Sequence, residues 1–352
     1  MKLKKWLSFL LVSVLAFTLV ACSSSNQTSD SAGSESNEGE SSEGATETYD
    51  LKMSTTTSDT SAWAQGARKF AEIVSEKTDG RINIEVFPNE QLSGGDQGKG
   101  VEMLIKGTTD LSYHSTIIYS IIDERFGIVS APFLYKNLEE ADASLAGAGG
   151  EALNNLLLEK GVQPLGYGEN GFRQMTNSVR PIQSPEDMEG LKMRIPGIKM
   201  YIDLFSALGA DPTTMAFSEV FTALQQGTID GQENPIDVIH SSKLNEVQNY
   251  ITISNYSYDP LVLGMNKKLF DSMHPDDQKV IQEAAVVANE YQKQLTREAE
   301  AKQIEELKAA GMEFYTPTEE EMAAFKAAVE PVYEKYESVW GTDLLNAFRP
   351  SN

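Results

Sequence analysis

The sequence predicts an α/β protein built as two lobes, on three observations. Alternating apolar runs and helix-period runs succeed one another along the chain, strand then helix, which is the pattern of an α/β fold. About 300 of the 352 residues follow the N-terminal segment, enough apolar sequence for two separate cores. A run of 35 residues, 276–310, contains neither Gly nor Pro. As one helix it would extend about 52 Å, longer than one small lobe.

The elements follow in order. Leu51 and Met53 alternate in a first strand. Trp63, Ala67, Phe70, Ile73 and Val74 then share a helix face that Asp79-Gly80 ends. Ile82, Ile84 and Val86 alternate as a second strand, and Val101, Met103, Leu104 and Ile105 lie on a helix that stops at Gly107. Later, 165–167 and 191–195 read as strands, about 199–208 and 218–226 as helices, and 251–254 and 261–265 as two further strands. The long run opens on His274-Pro275-Asp276-Asp277, where proline and acids suit a helix N-terminus. Ile281, Ala284, Ala288, Tyr291 and Leu295 form one apolar stripe, but Ile304 and Leu307 fall off its register. Two readings fit: one strut between lobes, or two helices with an unmarked bend.

The N-terminus reads as an export signal, 1–21. Lys2, Lys4 and Lys5 precede an uncharged apolar run, 6–20, too short to span a bilayer. Leu19-Val20-Ala21-Cys22 resembles a bacterial lipobox, with the Cys22 thiol as the group to be lipidated and tethered to a membrane. Cys22 is the only cysteine, so no disulfide is expected. Residues 23–48 are Ser, Gly, Glu, Asn and Thr with no large apolar side chain, a disordered leash with a reach of about 28 Å.

Charge narrows the function. The formal charge is −23; losing the three lysines of the signal makes it −26, and six acids in the leash leave −20 on residues 49–352. An acidic body lacks the clustered cations that nucleic acid requires. It also repels anionic ligands at long range, so any anion site has to rely on local arginines.

Several motifs fail on context. Gly147-Ala148-Gly149-Gly150-Glu151-Ala152 follows a helical pattern where a dinucleotide fingerprint needs a strand. Gly94-Gly95-Asp96-Gln97-Gly98-Lys99-Gly100 is one residue short of a phosphate loop and ends in Gly where Ser or Thr must meet magnesium. His114, His240 and His274 lack ligand spacing, so neither a metal nor a cofactor is expected. There is no Gly-x-Ser-x-Gly elbow.

The centre of the chain is more informative. Arg194 ends a strand pattern and is cut off by Pro196, so its guanidinium sits on a rigid element where clefts form and can grip a carboxylate with two parallel hydrogen bonds. Arg173, beside Gly171, could offer a second grip, and Asn234, held by Pro235, presents both an amide donor and an acceptor. Taken singly, an arginine is more often a surface ion pair. The blocks Asn170-Gly171-Phe172-Arg173, Arg180-Pro181-Ile182, Ser184-Pro185-Glu186-Asp187-Met188-Glu189-Gly190-Leu191-Lys192-Met193-Arg194-Ile195-Pro196, Ala216-Phe217-Ser218-Glu219-Val220-Phe221 and Ile229-Asp230-Gly231-Gln232-Glu233-Asn234-Pro235 occur in that order. Together they resemble the solute-binding proteins of tripartite ATP-independent periplasmic (TRAP) transporters, of the DctP type, over nearly all of residues 49–352.

The resemblance implies a two-lobed periplasmic-binding-protein-like fold with mixed sheets and a long helix spanning both lobes. It places 49–170 with 257–296 in lobe I and 171–256 with 297–352 in lobe II, with crossings near Glu169, Tyr256 and Leu295. It implies that Arg194 holds a ligand carboxylate, that Arg173, Asn234 and Glu233 assist, and that Phe217 packs near the ligand. Ligand identity falls to the other lobe, where 55–58, Gln91, Asp96, Tyr113 and His114 are the candidates, and their polarity suggests a sugar acid such as a uronate, then a C4-dicarboxylate. The implied partners are the small and large TRAP membrane subunits, with the receptor a lipid-anchored, extracytoplasmic monomer. An enzyme acting on acidic sugars is the alternative, although no nucleophile or base pair stands at recognisable spacing.

Overall fold

A computed structural model describes residues 45–349. The expected signal, Cys22 and residues 23–44 of the leash lie outside the described residues. Order begins before Tyr49: Arg81 Nη1 donates to the Glu47 carbonyl at 3.0 Å, and the Tyr49 hydroxyl donates to the Glu47 carboxylate at 2.8 Å.

Nine strands form one mixed sheet: β1 (Tyr49–Thr55), β2 (Ile82–Phe87), β3 (Leu111–Ser115), β4 (Val162–Asn177), β5 (Lys192–Ile195), β6 (Asp211–Thr214), β7 (Gly231–Asn234), β8 (Tyr250–Asn266) and β9 (Glu313–Tyr315). The order is β2-β1-β3-β8-β4-β7-β5-β6, with β9 on β8. Two strands are far longer than the rest. β4 has 16 residues and β8 has 17, and they run antiparallel along their whole length. One end of the pair carries β3, through Leu261 to Met265 of β8; the other carries β7 on β4 and β9 on β8. Two half-sheets thus share two strands, and this makes the molecule two-lobed.

The shared pair bends where its register slips, between Glu169 and Gly171 and between Arg173 and Met175. Gly171 has φ +105°, a backbone conformation open to glycine and strained for other residues. The two strands expected at 251–254 and 261–265 are one continuous strand. Asn255, Asp259 and Pro260 read as breakers, yet Tyr258, Asp259 and Pro260 keep their pairing with Phe172, Gly171 and Glu169. At the bend the Gln174 amide both donates to Asn255 Oδ1, at 2.6 Å, and accepts from the Asn255 N–H, at 3.1 Å. Tertiary pairing overrides the local turn preference.

The long run is a single helix, Pro275–Ala309, capped by His274 and opened by Pro275. Its off-register residues have a reason. Ile281, Ala284, Ala285 and Ala288 pack on the core of Trp63, Phe70 and Leu111, whereas Leu307 and Ile304 join a different core built on Val220, Leu224 and Ile251. Between these ends the helix buries polar groups. Gln292 accepts from the Glu169 N–H at 2.7 Å and donates to the Glu169 carbonyl at 2.8 Å, so one side-chain amide satisfies the backbone at the bend of β4. Tyr291, expected in the stripe, is exposed.

A third core mixes the two ends of the molecule. Phe126, Phe205, Tyr256, Trp340 and Phe348 belong to it. Its cover is the C-terminal helix Glu330–Phe348, kinked at Gly341, which packs on the helices Ala148–Glu159 and Lys199–Ala207.

Candidate functional site

The site rests on three adjacent strands. Arg194 of β5 pairs in register with Gln232 of β7, and Asn234 of β7 pairs with Gln174 of β4. On β5, Met193 and Ile195 enter the core, and strand alternation turns Arg194 to the opposite face. Arg173 lies within β4, two residues beyond Gly171.

Arg173 is held by protein at every guanidinium nitrogen. Its Nε and Nη2 meet the Glu233 carboxylate, Nη2 also donates to the Glu233 carbonyl and Asn234 Oδ1 at 3.0 Å each, and Nη1 donates to Asp259 at 3.1 Å. Burial disfavours its charge, but Glu233 beside it outweighs this and holds the guanidinium well above its ordinary pKa. Asp259 in turn accepts from Ser115, Thr116 and Asn170, and Glu233 accepts from the Tyr256 hydroxyl. Burial still raises the Asp259 carboxyl, against the pull of Arg173 and these donors.

Arg194 is different. It is 1% exposed, and its Nε and Nη2 donate to a single neutral acceptor, the Met215 carbonyl, at 3.1 and 2.7 Å. Among the described residues no carboxylate pairs with it. Burial pushes its pKa down to about 10, with Glu233 opposing and Arg173 adding to the shift. Its guanidinium carbon stands 5.7 Å from the centre of the Phe217 ring.

Arg194, Arg173, Asn234 and Phe217 line one cavity. The facing wall is Thr56, Thr57, Trp63, Gln97 and Ser115, with Asn170 at the join. Glu233 sits behind Arg173, wholly buried. The other expected residues do not line this cavity. Gln91 and Asp96 are exposed, and Asp96 spends its carboxylate capping the next helix, on Lys99 N at 3.0 Å. His114 points the other way from Ser115, as alternation along β3 requires, and its Nε2 lies 2.9 Å from Glu90. Tyr113 donates to Asn289 at 2.9 Å within the core. Phe217 begins the helix expected at about 218–226, with Ala216 as its N-cap. The residues not foreseen are Trp63, Asn170, Asp259 and Tyr256. Asp259 had a signal, an acid inside the apolar strand Tyr258 to Met265, because a buried carboxylate needs partners.

The walls also touch at the rim. Ser218 Oγ donates to the Gly95 carbonyl at 3.0 Å, the Ala62 N–H donates to Asp237 at 3.3 Å, and Ser58 Oγ donates to the Ser241 carbonyl at 3.3 Å. A Cβ on Gly95, which has φ +90°, would lie 2.6 Å from Ser218 Oγ, so the approach requires glycine. No three His, Cys, Asp or Glu gather as a metal site among the described residues, and no described helix is long and apolar enough to cross a membrane.

A two-lobed α/β frame with an arginine-lined cavity between its two walls defines a solute-binding protein. Residues 53–339 match the DctP model, described as bacterial extracellular solute-binding protein, family 7, and the chain belongs to that family. A solute-binding protein of Roseobacter denitrificans is 38% identical over 284 residues, covering 80% of this chain and 84% of its own. The crystal structure of a TRAP periplasmic solute binding protein from Ralstonia eutropha H16, with (S)-2-acetolactate bound, matches with a TM-score of 0.83 at 35% identity, over 85% of this chain and 97% of that one. The sugar acid binding protein of Advenella mimigardefordensis, in complex with galactonate, matches with a TM-score of 0.83 at 32% identity, over 86% and 97% of the two chains.

Proposed function

We propose that this protein captures a small organic acid outside the cytoplasm, by its carboxylate, and hands it to a TRAP-type membrane transporter. The observation that carries this reading is Arg194, a buried cation in a cavity wall that no carboxylate among the described residues pairs with directly. A buried charge without a counter-charge costs several kcal/mol, about what a ligand carboxylate would relieve. Arg173, held by Glu233, Asp259 and Asn234, sets the shape and charge of the adjoining wall, and the Phe217 ring covers the guanidinium. Relatives with acetolactate and galactonate bound support an organic acid.

In this reading 49–170 with 257–296 and 171–256 with 297–352 close on the ligand as two bodies, through the bend of β4 and β8. A lipid on Cys22 and the leash keep a monomeric receptor near its two membrane subunits without fixing its orientation. The protein releases its ligand unchanged. Isothermal titration of the purified chain against D-galactonate, D-glucuronate, acetolactate and succinate tests this, with sub-millimolar binding of at least one acid expected. Failure of every carboxylate to bind would overturn it.

A further inference from the structure

The cavity also carries information about the rest of its ligand, resting on the receptor reading above. Two polar atoms of its lining residues are buried without a protein partner: Trp63 Nε1, a donor, and Asn170 Oδ1, an acceptor. Their residues are 3% and 2% exposed. Buried polar atoms in native proteins are nearly always satisfied, so unpaired atoms on residues that line a ligand cavity call for ligand groups.

The Asn170 amide cannot simply be reversed. Its Nδ2 donates to Asp259 Oδ2 at 2.7 Å, and Asp259 also receives Ser115, Thr116 and Arg173 Nη1. Turning the amide would set its oxygen against that carboxylate, so the network fixes oxygen as the free end. A ligand group that meets an amide oxygen must donate a hydrogen. A hydroxyl does so; a carboxylate does not.

Charge points the same way. Among the described residues Arg173 and Arg194 are the only cations lining the cavity, and Arg173 is already paired with Glu233 and Asp259. One carboxylate is matched by Arg194. A second would be buried with no cation left for it.

We propose that the site selects hydroxylated monocarboxylates over dicarboxylates, with Trp63 Nε1 donating to a ligand oxygen and Asn170 Oδ1 accepting from a ligand hydroxyl. A site built to hydrogen-bond hydroxyls strongly rejects analogues that lack them, because its own groups are then left unpaired.

Isothermal titration of the full chain with D-erythronate, D-galactonate, D-glucuronate, succinate and butanoate reads the selection directly. At least one hydroxylated monocarboxylate should bind at least about 100-fold tighter than succinate and butanoate. Trp63→Phe keeps the ring in the core and removes only the N–H, and it should weaken the tightest hydroxylated ligand about 10-fold with the unliganded Tm unchanged. Succinate binding within about 10-fold of the best hydroxy acid would overturn the proposal while leaving the organic-acid reading intact. The Trp63 assignment falls if Trp63→Phe binds like the wild type. Silence with every acid in the panel would remove the receptor reading and this proposal together.

Discussion

Arg173 and Arg194 line the same cavity and are both buried, yet among the described residues only Arg173 is paired with carboxylates. The difference comes from the strands that carry them. β4 holds Arg173 against Glu233 of β7 and Asp259 of β8, whereas β5 lies beyond β7 and gives Arg194 only the Met215 carbonyl. In the proposed reading Arg173 shapes the cavity wall and Arg194 receives the ligand.

Arg194→Met should therefore abolish ligand binding without harming the fold. Truncating one partner of a buried, hydrogen-bonded charge pair costs about 2–5 kcal/mol, roughly a 30- to several-thousand-fold loss of affinity. The unliganded variant has lost an uncompensated buried charge, so its Tm should equal or exceed that of the wild type. A variant that unfolds at markedly lower temperature, or that still shows a full ligand-induced thermal shift, would contradict this division of roles.

Arg173→Met should do the reverse. It leaves Glu233 and Asp259 buried without their cation, a loss of about 3–5 kcal/mol in urea unfolding. Adding Glu233→Gln removes one of the two stranded carboxylates and should recover part of that loss, because charge and not volume is the cause. Independent, additive effects of the two substitutions would count against a coupled network.

Much of this arrangement was legible in the sequence, and the illegible parts share a cause. The helix pattern of 276–310 and the alternation of Ile82, Ile84 and Val86 are local signals, and both elements occur as read. Arg194, Arg173, Asn234 and Phe217 carried motif context, and all four line the cavity. By contrast, β8 was split in two because Asn255, Asp259 and Pro260 break strands locally while their pairing with β4 keeps them in one. Trp63 reads as a core residue by its spacing, and nothing local shows that its indole nitrogen would lack an acceptor. Polarity singles out Gln91, Asp96 and His114, but Gln91 is exposed, Asp96 is held in a capping bond, and the two-residue alternation of β3 turns His114 away.

The rim hydrogen bonds should govern how long a ligand stays. Ser218→Ala removes the bond to the Gly95 carbonyl, and Asp237→Asn weakens the one from the Ala62 N–H. A single hydrogen bond is worth about 0.5–1.5 kcal/mol net, so each change should speed dissociation about 2- to 10-fold. Association should change little, since these contacts form after encounter. Stopped-flow measurement of both rates decides it: a slowed association with unchanged dissociation would place these contacts outside the closed state.

Acid sensitivity should trace to Glu90, which supports the cavity loop by accepting from Thr56 at 2.8 Å. Burial alone would raise its pKa. The charge of His114 and hydrogen bonds from His114, Thr56 and Ser93 outweigh burial and lower it. A carboxylate whose folded pKa is depressed stabilises the fold fully above its unfolded value, about 4.3, and that contribution is lost as pH falls through the folded value. The stability difference between wild type and Glu90→Gln should hence be larger at about pH 5 than at about pH 3.5, shrinking as pH falls below about 4.3. Asp237 and Asp259, which burial raises, change stability with the opposite sign but are present in both proteins and cancel in the difference. Urea unfolding of the two proteins between about pH 3.5 and 7 reads this directly, and a difference that stays level across the range would show that Glu90 does not set the acid limb.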